Sequence, residues 1–71
     1  MKIVVNGAWR EVALAGPATT PTLEAVLGQL GFANRAVATA LNGGFIAAGA
    51  RAGTAVREGD RVEIVAPMQG G

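Results

Sequence analysis

Apolar residues recur along this chain with two different periods, and each change of period marks an element. Lys2-Ile3-Val4-Val5 is a short, β-branched run that stops at Asn6-Gly7, the dipeptide most strongly tied to two-residue hairpin turns. Beyond it, Trp9 to Leu14 alternates, with Val12 and Leu14 on one face and Trp9 on the other. The two runs predict an N-terminal β-hairpin with Trp9 partly exposed. Ala15 to Pro21, with Gly16-Pro17 and Thr19-Thr20-Pro21, reads as a loop.

The period then lengthens. Leu23, Val26, Leu27 and Leu30 stand at i, i+3, i+4 and i+7, one buried stripe of a helix. Two starts compete: Thr22 as N-cap with Glu24 in the first turn, or Thr20 with Pro21 at the first helical position. Gly31 closes the helix as its C′ residue, and Phe32 packs back on it. Gly28 lies inside, at a cost of up to about 1 kcal/mol relative to Ala. Close packing against a sheet is one reason for a glycine there.

Alternation returns over Ala36 to Leu41, which places Val37, Thr39 and Leu41 on one face and Ala38 and Ala40 on the other. Asn42-Gly43-Gly44 ends that strand, and Phe45-Ile46 forms a short return. Ala47 to Ala55 carries little pattern beyond one short helical turn. Glu58-Gly59-Asp60 is a turn leading into a last strand, Arg61 to Val65, with Val62 and Ile64 inward and Val65 outward. Pro67 cannot donate to a ladder and ends the strand. Hairpin, helix, strand, short strand and strand predict an α+β domain. Its single mixed sheet has the helix on one face and leaves the other open to water or a partner.

With 71 residues there is room for one domain, and the 51% of hydrophobic residues must supply its core unaided. Cysteine and histidine are both absent, which excludes disulfides, thiol nucleophiles, thiolate metal sites and the usual neutral-pH acid/base group. A net charge of +1 from scattered basic residues gives no concentrated basic face, so nucleic acid is not an expected partner. No apolar run approaches the ~20 residues that span a bilayer, and Ile3-Val4-Val5 is too short for a signal segment. A soluble cytoplasmic protein is expected, with no membrane partner.

Candidate chemistry is sparse. Among the side chains, Glu11, Glu24, Glu58, Asp60 and Glu63 are the only carboxylates, and no spacing among them argues for an acid/base pair. Glu58 and Asp60 flank a turn glycine and are read as turn formers. The glycines at 43–44 and 49–53 match neither a GxxxxGK[ST] loop nor a GxGxxG turn. Serine is absent and the single lysine is Lys2. Enzymatic activity is not expected. What remains is the end of the chain. Pro67-Met68-Gln69 leads to Gly70-Gly71, a slim tip without side chains whose carboxylate can enter a narrow active site. The outward residues Val65, Ala38 and Ala40 share a face at the root of that tip. They are either scattered surface apolar residues or a flat docking patch.

Four stretches together resemble a known family: Met-Lys-Ile-Val-Val-Asn-Gly at the start, Thr-Leu-Glu-Ala-Val-Leu in the helix, Ala-Leu-Asn-Gly at the strand end, and Glu-Gly-Asp-Arg-Val-Glu-Ile-Val-Ala-Pro-Met-Gln-Gly-Gly at the close. The chain is similar to the ThiS sulfur carriers of thiamine biosynthesis over nearly its whole length, with the closing block the specific part. Gly44 to Ala55 departs from the relatives' more polar sequences. The resemblance implies a ubiquitin-like β-grasp domain over 1–66, with a mixed four- to five-stranded sheet packed on one helix, and a flexible tail over 67–71. It also implies that an ATP-dependent, ThiF-like activating enzyme adenylates the Gly71 carboxylate. A persulfide sulfur, drawn from a donor such as a cysteine desulfurase, then displaces AMP. A ThiG-like thiazole synthase takes sulfur from the resulting thiocarboxylate. The chain itself binds no cofactor in this scheme, since ATP is used by the partner. The small subunit of molybdopterin synthase shares the fold and the diglycine, and a protein modifier joined to lysine through Gly71 is a further reading. Pro67-Met68-Gln69 looks more like the thiamine branch.

Overall fold

The computed structural model describes residues 1–13, 20–33 and 35–66. β1 (Lys2–Val5) turns at Asn6-Gly7 into β2 (Ala8–Glu11). Both turn residues hold positive φ, 50° and 85°, as a type I′ hairpin turn requires. β2 ends at Glu11, short of the alternating run read from sequence. Val12 beyond it is still fully buried, its N–H donating to the Met1 carbonyl at 2.8 Å. Leu14 lies outside the described residues. The ammonium group of Met1 sits 2.8 Å from Glu11 Oε2, and its hydrogen bond and charge hold that carboxyl below its usual range.

α1 (Leu23–Gln29) is capped by Thr22, whose hydroxyl accepts from the Ala25 N–H at 3.2 Å. Its far end is a complete Schellman motif: Phe32 N–H donates to the Leu27 carbonyl and Gly31 N–H, at φ 89°, to that of Gly28. Leu23, Val26 and Leu27 are buried and Leu30 is half-buried, so the stripe faces the core as its spacing predicts. Gly28 does not. It is exposed, and a Cβ placed on it meets nothing within 4 Å, so sheet packing is not the reason for glycine there.

β3 (Ala38–Leu41) starts two residues later than its alternation suggests and turns through Asn42-Gly43 into β4 (Gly44–Ile46). A 3-10 helix (Ala48–Gly53) follows, and then a bridge from Ala55 to Thr22 sets Val56 wholly inside the core. β5 (Arg61–Val65) is the middle of a five-stranded sheet ordered β2-β1-β5-β3-β4. It pairs parallel with β1 and antiparallel with β3. Ile3, Val5, Val62, Ile64 and Thr39 form the buried inner face against α1. Cross-strand register places Lys2, Val4, Trp9, Ala38, Ala40, Phe45, Arg61, Glu63 and Val65 on the opposite face.

Candidate functional site

The surface that leads to the end of the chain is built on β5. Alternation turns Val62 and Ile64 into the core at 1% and 6% exposure and leaves Val65 62% exposed at the strand end. Antiparallel register sets Ala38 directly opposite Val65 and Ala40 opposite Glu63. Val65 and Ala38, together with Ala36 and Val37, line one shallow cleft. The predicted patch residues Val65, Ala38 and Ala40 are therefore neighbours on one face. Ala38 is exposed and Ala40 half-buried. Pro67, Met68, Gln69, Gly70 and Gly71 lie outside the described residues.

Phe45 extends this surface and was not among the residues singled out from sequence. It is 73% exposed and pairs with Ala40. The signal was present: a two-residue Asn42-Gly43 loop pairs Leu41 with Gly44, and hence Ala40 with Phe45. Trp9 lies on the same face at the far edge, 65% exposed and in register with Val4. The apolar residues thus fall on both flanks of the sheet, separated by Arg61 and Glu63 on its central strand. Neither of those two has an ion-pair partner among the described residues.

Two turn asparagines hold β5 in place. At its start, the Asn42 carboxamide accepts from the Arg61 N–H at 2.9 Å and donates to Asp60 Oδ1 at 3.2 Å. Towards its end, the Asn6 carboxamide accepts from the Ile64 N–H at 2.8 Å and donates to the Ile64 carbonyl at 3.1 Å. The turn before β5 is tied in by Glu58, whose carboxylate accepts from the Lys2 N–H at 3.1 and 3.2 Å, and by Asp60, which accepts from the Arg57 N–H at 2.8 Å. These carboxylates are committed to backbone, as turn formers. No group of three acidic, His or Cys side chains suited to a metal occurs among the described residues. No helix there is long and apolar enough to cross a membrane. The arrangement suits presentation of a strand end beside an apolar surface.

The ThiS family model matches residues 3–71. The chain belongs to the ThiS family. As a ThiS-family sulfur carrier it is similar to the thiamine biosynthesis protein ThiS from Geobacter metallireducens. With that protein's crystal structure it shares 32% identity at a TM-score of 0.79, each chain covered in full. With the NMR solution structure of a thiamine biosynthesis protein from the same organism it shares 32% identity at a TM-score of 0.76, covering 100% of this chain and 88% of that one. It is also 39% identical, over all 71 residues, to a thiazole synthase of Paramagnetospirillum magneticum (strain ATCC 700264 / AMB-1). The ThiS-family chain spans 20% of that relative's length. The β-grasp fold expected from the sequence is the fold of this protein.

Proposed function

We propose that this chain carries sulfur for thiazole formation as a thiocarboxylate on Gly71. The observation that supports the reading most is the ThiS family match, which runs through the diglycine at 70–71. The likeness to a thiazole synthase supports the thiamine branch and a ThiG-like acceptor. In this reading a ThiF-like enzyme uses ATP to turn the Gly71 carboxylate into an acyl-adenylate, releasing pyrophosphate. A persulfide supplied by a donor such as a cysteine desulfurase attacks the acyl carbon, and AMP leaves with its oxygen. Thiol cleavage of the resulting S–S bond frees the thiocarboxylate. The partners provide the acid/base groups, and glycine lets the backbone enter their active sites without a Cβ in the way. The exposed face bearing Val65, Ala38 and Ala40 is the docking surface.

Intact-mass measurement after incubation with ATP, the activating enzyme and a sulfur donor tests this directly. The chain is expected to gain the oxygen-to-sulfur mass difference, and deletion of Gly71 is expected to abolish both that gain and ATP–pyrophosphate exchange. Wild-type exchange by the deletion variant removes Gly71 from the chemistry. Higher-mass lysine conjugates in extract would assign the chain to protein modification instead. Sulfur delivery to a molybdopterin synthase large subunit, and not to thiazole synthase, would assign it to that branch.

A further inference from the structure

Parallel pairing between β1 and β5 ends at Val5↔Val62. The Asn6 N–H still reaches the Val62 carbonyl at 3.0 Å, but at φ 50° the backbone then rotates into the hairpin turn. A continuing parallel ladder would have the Asn6 carbonyl accept from the Ile64 N–H. Its side chain takes that place, with Oδ1 on the Ile64 N–H at 2.8 Å and Nδ2 on the Ile64 carbonyl at 3.1 Å. On the other side of β5, β3 supplies the pair Ala38↔Val65. The end of β5 is therefore held by a strand on one side and by a single carboxamide, 58 residues distant in sequence, on the other.

We propose that Asn6 is a positioning residue for the chemistry at Gly71. Its carboxamide fixes the end of β5 at Ile64, two residues before Ala66, from which the chain continues to Gly71. The proposal rests on the sulfur-carrier reading above. The segment that bears Gly71 follows directly on Ala66 in sequence, so it is rooted at the end of β5 that Asn6 holds. Misplacing reacting atoms by about 1 Å can cost ~100-fold in rate. Asn6 is exposed but is not among the residues lining the cleft at Val65 and Ala38, so its loss is expected to lower turnover and spare affinity.

The test uses three variants of the full chain as the varied substrate of the activating enzyme in ATP–pyrophosphate exchange. Asn6→Gly keeps the positive φ and removes the carboxamide. Asn6→Asp also tolerates that backbone region but accepts only, retaining the contact to the Ile64 N–H and losing the one to its carbonyl. Asn42→Gly removes the equivalent clasp at the start of β5, away from the tail. We expect Asn6→Gly to reduce kcat on the order of tenfold, within the range that misplacement of about 1 Å produces, with KM for the chain unchanged. Asn6→Asp should fall between, and Asn42→Gly should turn over as wild type. Hydrogen exchange at the Ile64 amide should accelerate in Asn6→Gly while the Val62 amide stays protected. Wild-type kcat in Asn6→Gly, or an equal loss in Asn6→Gly and Asn42→Gly, overturns the proposal and leaves Asn6 a purely structural role. A wild-type chain that supports no exchange overturns the carrier reading itself.

Discussion

The Thr39 hydroxyl, on a side chain only 2% exposed, accepts from Arg51 Nε at 3.0 Å while donating to the Ile46 carbonyl at 2.8 Å. Arg51 Nη2 reaches on to the Val37 carbonyl at 2.6 Å. One arginine thus pins the 3-10 helix to the β3–β4 edge through the inner face of the sheet. Thr39→Val keeps the volume but leaves a carbonyl and a guanidinium N–H without their partner, at a cost of about 1–3 kcal/mol. Urea unfolding should show a lower midpoint with an unchanged slope. A midpoint equal to wild type would mean that water satisfies both groups equally well.

Leu27 lies mid-stripe on α1 at 4% exposure, packed into the core cluster. Truncating a buried leucine costs about 2–5 kcal/mol, a large share of the stability of so small a domain. Leu27→Ala should unfold the domain or lower its thermal midpoint by more than any other single change described here. Melting followed by circular dichroism decides this.

Gly28 offers the opposite opportunity. Its surroundings are open and it lies within a regular helix, so Ala gains helix propensity without a clash. Gly28→Ala should stabilise by about 0.5–1 kcal/mol. A rise of several degrees in Tm is the expected result. A fall would mean that the helix needs glycine for some contact made only in a complex.

Val65→Asp places a charge on the exposed face and outside the core. Folding should be unaffected, with a circular-dichroism spectrum and Tm close to wild type. Burying that charge against an apolar partner surface is costly, so affinity for the activating enzyme should fall. Titration calorimetry measures it, and unchanged affinity would remove Val65 from the docking surface.

The elements that depend on local signals were legible in the sequence. Both Asn-Gly turns, the helical stripe, the Gly31 stop and the Val62/Ile64 alternation each state their structure within a few residues. Two of the missed features are long-range. Nothing near Thr39 announces that Arg51, 12 residues on, will meet its hydroxyl in the core. Asn6 reads as a turn former, and its second task exists only because β5 arrives beside β1 from the far end of the chain. Gly28 misled because a glycine inside a helix invites a packing explanation, and composition cannot distinguish a close contact from an unused propensity. Phe45 was missed for want of carrying the register through a turn already identified.

The position of β5 has a consequence for how this molecule is made. Among the described residues, the last strand in sequence is the middle strand of the sheet, between two hairpins that do not touch each other through backbone hydrogen bonds. A nascent chain therefore emerges as two separate leaves, β1–β2 and β3–β4, each too small to be stable alone. Only when Arg61 to Val65 has been synthesised and inserted do they become one sheet, a late and non-local closure. Completion of the fold and arrival of the segment leading to Gly70-Gly71 are then nearly the same event. A chain translated only as far as β4 lacks this scaffold, and a partner that recognises the assembled sheet does not engage it.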